Sequence, residues 1–426
     1  MDSAAPALDL GPIPTRAAGL ERLREFVPRA GRRYAATRNF DFGPRDRGNV
    51  SGLSPYLRTR LLSEADVLAA VLERHSLASA EKFVAEVFWR TYWKGWLEAH
   101  PAAWTRYVAA RADALAGLAA QADRRAAYDR AVAGATGIDA FDAWVTELRE
   151  RGYLHNHARM WFASIWIFTL ELPWELGADL FMRELLDGDP ASNTLSWRWV
   201  AGLHTRGKTY AATRANIRRY TGERFALDMP LARSPRPLDD APISLAALPV
   251  LVPAAEIAGP TLLAVHDDDL HGDARELPPD VRGVCAFDAL DGRSPLPVST
   301  AVREFTAAAA RDAVAGIVAT TGAAALDLDL GSGFGAQPGA DAGLGRAIVA
   351  AARACGARTI VVPYAPIGPV RDRLGALRSA ALAAGLAYAE IGRRYDAVSW
   401  PAATRGFFNL RTRIPAIVAE LGLGAG

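Results

Sequence analysis

Cysteine is nearly missing from this chain: Cys285 and Cys355 are the only two among 426 residues, too few for a disulfide framework or a thiolate zinc site. Both are expected as reduced thiols in a core. No apolar run approaches the roughly eighteen residues that a membrane-crossing helix needs. The opening MDSAAPALDL lacks the basic and apolar regions of a secretory leader, so a soluble, cytoplasmic protein without membrane contact is expected. There is no convincing internal repeat. What is present is apolar bulk: 50% of the residues are hydrophobic, and the length accommodates two sizeable cores rather than one.

Net charge is also small at +2, but its distribution is uneven. Residues 1–235 carry 32 basic against 27 acidic side chains, and the remainder 17 against 20. Ten of the eleven tryptophans lie in the same front portion. A compositional step of this kind, followed by the proline-rich stretch from Met229 to Pro242, marks a domain boundary with a stiffened linker. The expected division is 1–235, an all-helical domain, and 236–426, an α/β domain.

Polar chemistry meets aromatic rings most densely at DGDPASNTLSWRW, Asp187 to Trp199, directly after the apolar run from Trp174 to Leu186. Gly188 supplies a turn between Asp187 and Asp189. Glu81 to His100 reads as one amphipathic helix in which Glu86, Trp89, Arg90 and Trp93 are three or four apart and share a face. An apolar stripe explains the tryptophans but not the charges, which are rarely set beside a core without partners. SGLSPYL, Ser51 to Leu57, follows a loop from Tyr34 to Val50. There Ser51 and Ser54 with the surrounding amides can cap the next helix and hold a phosphate, because unsatisfied amides at a helix start attract anions. HNHARM, His155 to Met160, contains His-x-His without carboxylate or cysteine companions, a weak metal signal, and no metal is expected.

Together, SGLSPYL, FWRTYW (Phe88 to Trp93), HNHARM and DGDPASNTLSWRW resemble, in order and approximate spacing, the flavin-binding domain of the cryptochrome/photolyase family over roughly residues 30 to 205. The resemblance implies an FAD held by Tyr34, Val50, Ser51, Gly52, Leu53, Ser54, Phe83, Arg90, Asn156, Arg159, Asp187, Gly188, Asp189 and Asn193. Arg159 is expected to pair with Asp187 and keep it ionised beneath the ring system, and Asn193 to sit beside the flavin N5 atom. Glu86, Trp89, Trp93, Asn156, His157, Met160 and Trp199 are expected on the substrate side, where an aromatic face stacks on an extruded base. Trp197 and Trp174 match the first two positions of the family's electron-transfer chain. Its third member is not evident, with Tyr128, Trp104 and Trp144 as candidates.

The chain departs from the family pattern after Ala201. GLHTRGKTYAATRANIRRYTGERF, Gly202 to Phe225, interleaves basic side chains with tyrosines, and Arg206, Lys208, Arg214, Arg218 and Arg219 are candidate phosphate contacts. Beyond Ile243, apolar runs at Thr261–His266, Val281–Phe287, Val314–Thr321, Thr359–Tyr364 and Ala387–Ile391 alternate with alanine-rich helical segments, the pattern of a parallel, Rossmann-like sheet covered on both faces. The family normally carries an α/β antenna domain ahead of its flavin domain. Here an α/β domain follows it, and Gly356 to Ala389 loosely resembles the later strand-helix-strand of that antenna domain. Gly331, Gly333 and Gly335 form a glycine cluster without a clear G-x-G-x-x-G, weak evidence for a nucleotide site.

The expected function is light-driven repair of cyclobutane pyrimidine dimers in DNA by a monomeric flavoprotein, with Glu86, Asn156, Asn193, Trp174 and Trp197 carrying the chemistry. A second antenna chromophore is allowed for but unidentified. A cryptochrome-like photoreceptor that binds FAD and a signalling partner is the alternative. A bifunctional protein whose back half binds an unrelated nucleotide stands behind both.

Overall fold

In the computed structural model, which describes residues 11–328 and 340–424, the chain up to residue 222 is helical. The first elements are α1 (Arg16–Phe26), α2 (Arg32–Thr37), α3 (Ser54–Arg58), α4 (Glu64–Arg74), α5 (Glu81–Ala99) and α6 (Ala102–Ala120). They are followed by α7 (Ala122–Ala133), α8 (Asp139–Arg151), α9 (Asn156–Ser164), α10 (Trp174–Glu184), α11 (Pro190–Val200) and α12 (Arg214–Thr221). Local sequence sets the boundaries. Ser63 and Asp66 form a capping box at α4, Asp189 caps α11 with Pro190 in its first turn, and Gly134, Gly152 and Gly222 end α7, α8 and α12 in the left-handed conformation. The single helix expected over Glu81–His100 is present as α5. The almost wholly apolar stretch Trp161–Leu172 forms the end of α9 plus a π turn, Ile165–Thr169.

Between Thr221 and Ala254 the chain forms no helix or strand apart from an isolated bridge of Val252 to Ile391. The α/β part then contains β1 (Thr261–His266), β2 (Val281–Phe287), α13 (Thr300–Thr321), β3 (Ala324–Ala325), α14 (Ala340–Ala354), β4 (Thr359–Pro363), α15 (Pro369–Ala383), β5 (Ala387–Ile391), α16 (Arg394–Ser399) and α17 (Phe407–Glu420). All five strands are parallel in the order β3-β2-β1-β4-β5.

Alternation along β1 explains the two-sided cover. Leu263 and Val265 join a core shared with α13 and the helical part, while Leu262 and Ala264 join a second core with Leu344, Ile348, Leu374 and Leu377 of α14 and α15. Cys285 is buried in that second core, which pushes its thiol up to about 12, and Cys355 is half-buried beside it; both are free.

Four of the five expected strands are found. Val314–Thr321 is not a strand but the end of the 22-residue α13. Its β-branched residues suggested a strand, yet Ala309, Ala313 and Ile317, four apart, are the buried positions, and packing of that stripe overrides local propensity. The glycine cluster at Gly331, Gly333 and Gly335 lies outside the described residues. No described helix is long and apolar enough to cross a membrane.

Candidate functional site

A cavity of 510 Å³ opens among α2, α3, α5, α9 and α11. Tyr34, Ser51, Ser54, Phe83, Glu86, Trp89, Arg90, Trp93, Asn156, His157, Arg159, Met160, Asp187, Gly188, Asp189, Asn193, Trp197 and Trp199 all line it. These are most of the residues singled out in the sequence, drawn from five separate stretches.

The floor is the turn Asp187–Gly188–Asp189 between α10 and α11. Arg159 Nη2 lies 2.7 Å from Asp187 Oδ2 and its Nε donates to the Leu154 carbonyl at 2.9 Å, so the expected pair is present. Gly188 is required for close approach: a Cβ would sit 3.1 Å from the Leu185 carbonyl oxygen. Asp189 Oδ1 accepts from Ser192 N at 2.8 Å, while Oδ2 is 3.1 Å from Arg90 Nη1 and 3.5 Å from Lys94 Nζ. Those cations hold the Asp189 carboxyl well below the usual range despite burial, so this acid is engaged by the chain itself. Burial in turn lowers the Lys94 ammonium.

On one wall, Glu64 accepts from Arg90 Nε at 3.0 Å. Glu86 is half-buried and ion-paired with Arg38, and burial raises its carboxyl despite that cation. Asn193 Nδ2 donates to the Ala178 carbonyl at 2.8 Å. That acceptor turns the amide nitrogen away, leaving Oδ1 as the free accepting end. His155 starts α9: its Nδ1 accepts from His157 N at 3.2 Å and its Nε2 faces the Arg38 carbonyl at 3.0 Å, a neutral tautomer consistent with burial lowering its pKa to about 3.

Several expectations are corrected. Ser51 and Ser54 do not cap α3. Leu53 holds the cap position without a side-chain bond, and Ser54 is the first helical residue, because Pro55 already fills the first turn. Val50, Gly52 and Leu53 stand behind the lining rather than in it; Leu53 is core, and Gly52 turns at φ +63° against Arg22. Trp174 is also outside the lining, packed 5.6 Å from the Tyr107 ring. Arg206 and Lys208 are not among the residues lining the cavity. Arg206 is an exposed residue 3.3 Å from Asp239 of the linker and 3.0 Å from the Asp240 carbonyl, and Arg218 is paired with Glu223.

Sequence reasoning missed Arg38, Glu64 and Lys94, the partners of the expected charged residues. Each stands four residues from a cavity residue on its own helix or belongs to a neighbouring one. It also missed Phe407, which reaches Trp89 from α17.

The chemistry of the lining suits a flavin dinucleotide. Among the described residues, Asp187 Oδ1 and Arg90 Nη2 are buried without a hydrogen-bond partner. The first offers an acceptor for a ring N–H and the second a donor for a phosphate oxygen, both costly to leave unmet. Tyr34, Phe83 and Trp197 supply apolar surface around them.

Residues 83–225 match the family model described as the FAD binding domain of DNA photolyase. That stretch of the helical part is thus similar to the flavin-binding domain of the cryptochrome/photolyase family. The deoxyribodipyrimidine photo-lyase of Thermus thermophilus is 36% identical over 205 residues, which are 48% of this chain and 46% of that protein. A bacterial class III photolyase from Agrobacterium tumefaciens aligns at 26% identity with a TM-score of 0.38, over 49% of this chain and 43% of the other. The cryptochrome of Synechocystis sp. PCC6803 aligns at 23% identity and a TM-score of 0.41 over the same shares. The matched region thus spans less than half the length of each of these proteins.

Proposed function

We propose that the protein is an enzyme of the deoxyribodipyrimidine photolyase type, which splits cyclobutane pyrimidine dimers in DNA under light. The observation that carries this reading is the gathering of Glu86, Trp89, Asn156, Met160 and Trp199 in one cavity with the flavin-type floor at Asp187 and Asn193. FAD, when bound in its reduced form, supplies a photo-excited electron to the lesion. Every other contribution comes from the chain. The lesion enters as an extruded dinucleotide, a step that costs a few kcal/mol and less for a damaged pair. Trp199 presents an aromatic face, Glu86 and Asn156 present polar atoms to the base edges, and Arg38 steadies Glu86. Arg159 and Asp187 anchor one end of the cofactor site, Arg90 its anionic portion, and Asn193 Oδ1 an acceptor beside the ring system. Trp197, buried in the lining, is the first aromatic residue on the path by which electrons reach the site.

The doubly wound α/β part is read as a Rossmann-like antenna domain displaced to follow the flavin domain, and the whole as a monomeric cytoplasmic protein acting on damaged DNA. One observation favours the photoreceptor alternative. Phe407 lies on one face of Trp89, so the chain itself covers an aromatic surface that a base would otherwise use. Illumination of the reduced protein with a dimer-containing oligonucleotide decides between them. Recovery of pyrimidine absorbance supports repair, whereas a light-driven flavin change without recovery supports the photoreceptor.

A further inference from the structure

Strand order reverses between β1 and β4, and doubly wound sheets bind ligands in the crevice at the carboxyl ends of the strands flanking such a reversal. Directly after β1 the chain places three consecutive buried acids, Asp267, Asp268 and Asp269. The crevice is filled by arginines. Arg58, at the end of α3, lies with Nη2 2.9 Å from Asp267 Oδ2 and Nη1 2.8 Å from Asp268 Oδ1, and Arg293 Nη2 lies 3.0 Å from Asp267 Oδ2. Arg393 Nη2 is 2.8 Å from Asp269 Oδ1, and Arg60 Nη1 is 3.1 Å from Asp269 Oδ2. Pairing on this scale offsets the desolvation of the acids.

Arg58 has a further nitrogen, and it leaves the crevice. Its Nε donates to the Gly188 carbonyl at 2.8 Å. Gly188 is the middle residue of the cavity floor, so one buried, planar guanidinium joins the end of β1 to the turn that carries Asp187 and Asp189. A second connection runs in parallel, from Asp269 through Arg60, Glu64 and Arg90 to Asp189.

We propose that Arg58 is a positioning residue for FAD. Held on one side by Asp267 and Asp268, it fixes the Gly188 carbonyl and with it the Asp187–Asp189 turn, so that cofactor retention by the helical part depends on the docked α/β part. The helical part thereby takes the place of a small ligand in the crevice of the sheet. This inference rests on the FAD assignment of the cavity.

The test compares Arg58→Lys with Arg293→Lys in the full chain. Lysine keeps the charge at either position but lacks the fork that serves two aspartates and a carbonyl together. Arg293 shares Asp267 and has no bond to the floor turn. The readouts are FAD affinity of the apoprotein, by quenching of flavin fluorescence, and thermal unfolding with and without FAD. Loss of a hydrogen bond to a charged donor corresponds to roughly tenfold or more in affinity. The expected result is that weakening for R58K, a smaller FAD-induced rise in its unfolding temperature, and wild-type FAD affinity for R293K. If R58K does not fold, Asp267→Asn, which is isosteric and loosens Arg58 from the sheet side, is expected to weaken FAD binding. Wild-type affinity in folded R58K, or equal weakening in R58K and R293K, overturns the proposal. A wild-type apoprotein that takes up no FAD overturns the cofactor assignment itself, a distinguishable failure.

Discussion

Phe407 lies flat against Trp89, with ring centroids 3.6 Å apart and planes within 8°. The pair joins α17, near the end of the chain, to the α5 face that lines the cavity, and a backbone contact flanks it: Tyr92 Oη donates to the Arg405 carbonyl at 3.3 Å. Phe407→Ala removes a buried, stacked ring and is expected to destabilise the protein by roughly 3 to 5 kcal/mol, read by denaturant unfolding. It also frees one face of Trp89. Affinity for dimer-containing single-stranded DNA is expected to rise, by about 1 to 3 kcal/mol if one base stacks there. Unchanged affinity in a titration would mean that the covered face is not a base platform.

Glu86 is ion-paired with Arg38 at the cavity wall, and burial raises its carboxyl pKa. Glu86→Ala is expected to leave FAD bound and to slow dimer restoration or weaken lesion binding by about tenfold, the range for one lost hydrogen bond to a charged group. Recovery of pyrimidine absorbance on illumination measures the first, and a binding titration the second. Loss of flavin from this variant would displace Glu86 from the substrate side to the cofactor side.

At the floor the sign of the effect differs. Asp187→Asn breaks the ion pair with Arg159 and exchanges one accepting oxygen for a donor. Leaving Arg159 without its counter-charge is expected to cost about 3 kcal/mol or more, and the protein should be isolated largely without flavin, as its visible absorbance will show.

These expectations were legible in sequence to unequal degrees. Asp187, Arg159, Glu86 and Asn193 lie in short motifs that resemble those of the cryptochrome/photolyase family, and that resemblance is what assigned them to one site. Arg38 and Glu64 complete ion pairs across helices, and no local pattern specifies such a partner. Phe407 and the aspartates after β1 belong to the far half of the chain; their meeting with Trp89 and Arg58 depends on how the sheet docks, which periodicity does not encode. Val314–Thr321 shows the opposite difficulty: the local signal for a strand was clear, but burial of Ala309, Ala313 and Ile317 made it helix.

His155 and His271 are both buried, and burial lowers their pKa to about 3 and about 4 respectively. His155 faces Asp41, Arg47 and His157, while His271 faces Arg393, Asp269, Asp66, Arg16 and Glu276. Between the ordinary value near 6.5 and these lowered ones, the unfolded chain binds protons that the folded chain does not. Stability is therefore full above about pH 6.5 and declines as pH falls toward 4, by up to about 1.4 kcal/mol per pH unit for each histidine. Denaturant melts across this range check the slope. His155→Asn should reduce it if the histidine is responsible.

The electron path supplies the most discriminating experiment. Trp197 packs on α10 at Gly177, where a Cβ would collide with its ring, so Gly177→Ala forces Trp197 to move and is expected to cost about 1 to 3 kcal/mol. Two aromatic routes leave this region. Trp166 is 6.2 Å from Trp197 and 6.0 Å from Tyr128, whereas Trp174 is 5.6 Å from Tyr107, itself 5.5 Å from Trp104. Sequence placed Trp174 second in the path, yet the tryptophan ring packed near Trp197 is that of Trp166, with Phe181 and Phe162 beside it. Trp197→Phe is expected to abolish light-driven reduction of the oxidised flavin, because, of the tryptophan and tyrosine rings on these routes, Trp197 alone lines the cavity. Trp166→Phe should slow reduction more than Trp174→Phe if direct ring contact governs the rate. The reverse order, measured by flavin bleaching under constant light, would assign the path to Trp174, Tyr107 and Trp104.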